Sequence, residues 1–167
     1  MLPQRSIRLS LPSKGRLESG ALDFLSAAGL RVIKSNPRQY QAELPALPEM
    51  GVIFQRPGDI VVSVRQGSVD FGITGLDMIE EKRGDNGNVL ILHDALGFGQ
   101  CALTLAVPES WKTVTDIASL KEYAATLQNP LRVATKFPVL TKCFLDQFNI
   151  AHTLIADQSL LKGLKTL

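Results

Sequence analysis

Val69-Asp70-Phe71-Gly72-Ile73-Thr74-Gly75-Leu76-Asp77-Met78-Ile79-Glu80-Glu81 decides the fold class of this chain. An apolar, β-prone run from Val69 to Thr74 meets two glycines and passes at once into a helical pattern over Leu76 to Lys82. A strand that ends in glycines and opens a helix is the corner expected at the ligand-facing edge of an α/β sheet. The glycine spacing matches neither the dinucleotide fingerprint nor the Walker loop. Gly75 and Asp77 therefore belong either to a binding loop or to a plain strand-to-helix turn. In the second case Asp77 simply favours the helix start electrostatically.

The same alternation repeats on both sides of this corner. Ile7 to Leu11 is a strand closed by Pro12, and Leu17, Ala21, Leu22, Leu25 and Ala28 then recur at helical spacing up to Gly29. Leu30 to Ile33 reads as a strand, and the proline-rich stretch from Asn36 to Pro48 as an irregular excursion or short hairpin. Val52 to Gln55 is a strand and Asp59 to Arg65 a short helix with Ile60, Val61 and Val64 inward. Gly84 to Gly87 is a turn, and Val89 to Leu92 a buried strand. Further on, Ala102 to Val107 reads as a strand, Ile117 to Leu127 as a helix and Leu131 to Thr135 as a strand. A helix through Leu140, Phe144 and Phe148 follows, then a strand over Thr153 to Ala156 and a short amphipathic tail. Alternating elements of this kind predict α/β layers with largely parallel sheets. Leu96-Gly97-Phe98-Gly99 is the expected hinge, giving two small α/β lobes, 1–96 and 97–167, around a cleft.

The net charge of +2 is too small to argue for nucleic acid or an anionic membrane surface. No apolar run approaches the roughly 18 residues of a membrane span. The first residues lack a signal-peptide pattern, so the expected location is cytoplasmic. Cys101 and Cys143 fit no metal-ligand spacing and read as reduced, buried thiols. No cluster of His, Cys, Asp and Glu suggests a metal cage.

Cations recur at the strand-to-helix corners. Lys14 and Arg16 flank Gly15 where the first strand gives way to its helix, and backbone N–H groups at a helix start favour anions. Arg56 and Asp59 stand at the next such corner, in Gln55-Arg56-Pro57-Gly58-Asp59. Thr135 and Lys136 precede Pro138, which suits a first helical turn. Taken singly, each is equally a surface turn. Together they put Lys14, Arg16, Arg56, Gly75 and Lys136 at the carboxyl edge of a sheet, which predicts a polyanionic small ligand. In His93-Asp94-Ala95-Leu96-Gly97-Phe98-Gly99, Phe98 either packs on a base or wedges the lobes apart. His93 and Asp94, as neighbours on a strand, would point to opposite faces and so make a poor catalytic pair.

The ordered series LPSKGR (Leu11–Arg16), QRPGDI (Gln55–Ile60), VDFGITGLDMIEE (Val69–Glu81), DALGFGQCALTLAVP (Asp94–Pro108) and ATKFPVLT (Ala134–Thr141) resembles the ATP phosphoribosyltransferases of histidine biosynthesis. The likeness runs from about Ile7 to Phe148. It implies a two-lobed fold like that of the type II periplasmic binding proteins, here with an incomplete second lobe. It also implies the condensation of ATP with phosphoribosyl pyrophosphate, magnesium being carried mainly by substrate phosphates. No protein nucleophile is expected, because such a reaction needs two polyanions held in line and charge neutralised on the leaving diphosphate.

By the same resemblance, Lys14 and Arg16 would neutralise phosphate and Arg56 and Asp59 would face the nucleotide. Gly75 and Asp77 would shape the ligand edge. Asp94, Leu96, Gly97, Phe98 and Gly99 would line the interlobe cleft, with Thr135 and Lys136 approaching from the second lobe. A homo-oligomer is implied, with or without a separate regulatory subunit as in the short family form. Two departures stand out: nothing from Ala156 to Leu167 matches the family's Ser/Thr-Gly-Thr loop for the ribose 5-phosphate, and Gln100 stands where many relatives have Arg. A truncated or diverged chain is the expectation, with a non-catalytic nucleotide-binding or regulatory subunit as the alternative.

Overall fold

Ile7–Pro12 (β1) is buried on both faces from Leu9 onward, as a near-continuous apolar run between two neighbours must be. The computed structural model in which it lies describes residues 7–36, 39–85 and 87–155. The chain divides into two compact units, Met1–Cys101 and Ala102–Leu167. In the first, β1 leads into α1 (Gly15–Ala27), which turns Ala21 and Leu25 inward. The short β2 (Gln41–Glu43) pairs antiparallel with β3 (Met50–Gln55), so the Asn36–Pro48 excursion does contain half of a hairpin. Then come α2 (Pro57–Arg65), β4 (Phe71–Gly72) and α3 (Leu76–Lys82).

The sheet runs β2-β3-β1-β4, with β1 parallel to both β3 and β4. All three parallel strands release a helix at their carboxyl ends. The core beneath is Leu9, Leu11, Ala21, Leu25, Leu44, Val52 and Phe54. Burying a side chain such as Leu or Phe contributes about 1.5–3 kcal/mol each. Ser10 is the polar exception inside this sheet. Its hydroxyl donates to Gln55 Oε1 (2.7 Å), and Gln55 Nε2 donates to Ser63 Oγ (3.0 Å), so one amide links β1, β3 and α2.

The second unit holds α4 (Ile117–Thr126), β5 (Leu131–Ala134), α5 (Pro138–Gln147) and β6 (His152–Ile155). β5 and β6 are parallel and joined through α5, around Leu120, Leu131, Leu145 and Ile150. Asp116 and Ser119 cap α4 reciprocally. The α/β class with mainly parallel pairing is therefore as expected. No helix of the described residues is long and apolar enough to cross a membrane.

Several expectations are corrected. Leu30–Ile33 is no strand; only Ile33 forms a bridge, to Glu43. The strand expected over Val69–Thr74 shrinks to Phe71–Gly72, because only Leu9 and Ser10 of β1 find partners there. Val89–Leu92 and Ala102–Val107 are not strands and not buried: Leu90 and Leu92 are 79% and 82% exposed. An apolar run makes a strand only when another strand supplies its hydrogen bonds, and none of the described residues does so here. Cys101 and Cys143 are free and exposed rather than buried. Ala156 and the tail after it lie outside the described residues.

Candidate functional site

The carboxyl ends of β1, β3 and β4 converge because their corners are tied to each other. Ser13 N–H donates to the Gln55 carbonyl (2.9 Å), joining the first corner to the second. The Thr74 hydroxyl donates to the Pro57 carbonyl (2.9 Å), joining the third to the second. Pro57 suits the first turn of α2, where no N–H partner is needed. A Cβ on Gly58 would lie 3.2 Å from Lys82 Cε and 3.6 Å from Met78 Sδ, so α2 and α3 meet closely at this corner.

A pocket of about 460 Å³ opens over these corners. Lys14, Arg16 and Leu17 line it from α1, Pro57 and Gly58 from α2, and Gly75, Asp77 and Met78 from α3. Gly99, Gln100 and Cys101 close the remaining side. Its size suits a small ligand. Gly15 contributes backbone shape: its φ of 75° is left-handed, and a Cβ there would meet nothing. That turn is reason enough for glycine to stand between the two cations.

The charges are arranged against the helices' own preference. Lys14 caps α1 without any side-chain hydrogen bond, and Arg16 lies in its first turn. Arg56 caps α2 in the same way. The N-terminal end of a helix is itself positive, so cations there are disfavoured unless an anion sits between them. Neither Lys14, Arg16 nor Arg56 has an ion-pair partner among the described residues. All three are exposed. Among the described residues no group of three or more His, Cys, Asp and Glu could hold a metal ion. Asp77 is the one carboxylate lining the pocket.

The sequence-predicted residues thus separate. Lys14, Arg16, Gly75, Asp77 and Gly99 share the pocket, whereas Arg56 and Asp59 stand on the adjoining corner without lining it. Asp94 and Gly97 are exposed, and Leu96 lines a different, largely apolar pocket with Phe71 and Ile60. His93 Nδ1 accepts from the Ala95 N–H (3.0 Å), a local turn bond. Phe98 packs on α1, its ring centroid 6.2 Å from that of Phe24. In the second unit, the Thr135 hydroxyl lies 2.9 Å from that of Thr141 and accepts from the Phe137 N–H, closing the β5–α5 corner. Lys136 is exposed beside it. Leu17, Met78 and Cys101 were not foreseen; each lies within two residues of a foreseen one, and that adjacency was their only signal.

Comparisons with known proteins follow this geometry. The family model described as HisG: ATP phosphoribosyltransferase matches residues 56–158. The chain is 45% identical over 153 residues to ATP phosphoribosyltransferase 2, chloroplastic, of Arabidopsis thaliana, covering 89% of this chain and 37% of that protein. It is 36% identical over 147 residues to the ATP phosphoribosyltransferase of Brucella anthropi, covering 85% and 64%. The chain thus spans between about a third and two-thirds of the length of these relatives. In fold it is similar to a chain of the ATP phosphoribosyl transferase (HisG:HisZ) complex from Thermotoga maritima, with a TM-score of 0.54 and 18% identity, covering 91% of this chain and 64% of that one.

Proposed function

This chain belongs to the ATP phosphoribosyltransferase family, and from that membership we propose that it takes part in joining ATP to phosphoribosyl pyrophosphate. Adenine N1 would attack the anomeric carbon as its bond to the pyrophosphate oxygen breaks. Pyrophosphate would depart with the electron pair, giving phosphoribosyl-ATP. The observation that carries this reading is the pair of unpaired cations, Lys14 and Arg16, at the positive end of α1 in the 460 Å³ pocket. A polyphosphate there would accept from the α1 backbone N–H groups and relieve the repulsion. Gly75 and Asp77 bound the same space, and Arg56 and Asp59 stand beside it as a second approach for nucleotide. We assign Asp94, Leu96 and Gly97 to further nucleotide contacts on the first unit, and Thr135 and Lys136 to a phosphate contact on the second.

No side chain need form a bond to substrate. The chain's own part is to bind, to orient and to neutralise charge. The donor set fits magnesium that arrives on phosphates and water rather than in a protein cage, since Asp77 is the pocket's lone carboxylate. When bound, the ion would offset negative charge on the leaving diphosphate. We further propose that the chain works as a homo-oligomer, with or without a separate regulatory subunit. The two-component neighbour supports this. Two free exposed thiols suit a reducing compartment such as the cytoplasm.

The test is ultraviolet-detected formation of phosphoribosyl-ATP by the purified chain with ATP, phosphoribosyl pyrophosphate and magnesium. Turnover supports the transferase reading. ATP binding without turnover would instead assign the chain to a nucleotide-binding or regulatory role, and absence of both would remove the proposal.

A further inference from the structure

Gly20 stands in the middle of α1, where glycine is among the least helix-favouring residues. A helix that keeps it there uses the space it leaves, and that space is filled by one side chain. A Cβ built on Gly20 would overlap the Phe98 ring at Cδ2 and Cγ and would lie 3.1 Å from Phe98 Cβ. The ring must leave the notch to relieve the first two contacts, and the Cβ contact asks for a further shift of a few tenths of an ångström. Phe98 is half-buried in this notch, beside Phe24 and against the core. The next residue, Gly99, has a left-handed φ of 70° and lies tight against Leu17, where a Cβ would overlap the side chain. Gly99, with Gln100 and Cys101 after it, lines the pocket that Gly58 and Gly75 also line.

We propose that Gly20 and Phe98 are positioning residues: the notch in α1 seats Phe98 and thereby sets the height of the Gly99–Cys101 wall over Lys14 and Arg16. The aromatic ring holds the wall and does not stack on a base. The binding consequence rests on the function proposed above; the positioning itself does not.

The experiment uses iodoacetamide alkylation of the full chain, mapped by peptide mass, because Cys101 lies in the wall and Cys143 in the other unit is an internal reference. Gly20→Ala overfills the notch and Phe98→Ala empties it. Each should change the alkylation rate of Cys101, already exposed, relative to that of Cys143 by at least about twofold and weaken ATP binding by about tenfold. Gly20→Ala combined with Phe98→Ala, which removes the overlapped Cγ and Cδ2, should cost no more than the single variants, because both act on the same contact. General loosening would accelerate both thiols together, and this result would overturn the proposal. An unchanged Cys101 to Cys143 ratio in both single variants would overturn it as well. A wild-type chain that binds no ATP would sink the functional proposal alone, because the thiol ratio still reads the wall in ligand-free protein. Should Gly20→Ala fail to fold, Phe98→Ala, which adds no atoms, gives the same reading.

Discussion

Lys14 and Arg16 are held apart by a single glycine whose left-handed backbone no other residue adopts easily. The positive end of α1 meets both charges, so the account depends on what an anion gains there. Lys14→Ala should weaken ATP binding by about tenfold, the scale of one charge-assisted hydrogen bond at an exposed site. The loss should shrink as salt is raised, because exposed charges are screened beyond roughly 10 Å. A titration at two ionic strengths checks both points. Gly72→Ala tests close packing instead of charge: a Cβ there would overlap Ile60 and sit 3.1 Å from the Ser10 carbonyl oxygen. It should cost about 1–3 kcal/mol of stability in denaturant unfolding. At this scale the sequence was legible wherever chemistry and position coincide. The corner cations and Gly75–Asp77 could be read from residue type and spacing. Leu17 and Met78 could not, since an apolar residue on a helix carries no mark of which pocket it faces.

The helices show what fixes an element and what does not. α4 begins at a reciprocal cap in which Ser119 N–H donates to Asp116 Oδ1 (2.8 Å). That backbone bond, with the Ser119 hydroxyl second, holds the Asp116 carboxyl below the usual carboxylate range. A lowered native value means the stabilisation is complete above the ordinary value of roughly pH 4 and is lost as pH falls through the depressed one. Asp116→Ala should therefore lower the unfolding midpoint at neutral pH and flatten its decline in acid. Equal acid slopes in both proteins would contradict the cap's role. In the same unit Leu145 is fully buried, and Leu145→Ala should cost about 2–5 kcal/mol in unfolding free energy. α1, α2 and α3 were readable from their periodicity, although α2 starts at Pro57 rather than at Asp59. Val89–Leu92 and Ala102–Val107 were misread because their apolar composition says nothing about a pairing partner. Strand formation is a property of two segments, helix formation largely of one.

At the scale of the whole molecule, two α/β units each gather their own core, and the carboxyl edge of the four-stranded sheet in the first carries the candidate site. The alternation of strands and helices around the Val69–Glu81 corner was enough to reach this class, since parallel neighbours require crossover helices. That corner cations gather at a sheet edge was readable; which of them share the pocket was not. The convergence depends on the order β2-β3-β1-β4 and on bonds such as Thr74 to Pro57 that join distant residues. The account therefore stands or falls on whether that convergence binds a polyphosphate. ATP titration of the full chain against its Lys14→Ala/Arg16→Ala double variant, with both shown to be folded, tests it most directly. Saturable binding is expected, with a loss of more than about tenfold in the double variant. Equal affinity in the two proteins would contradict it.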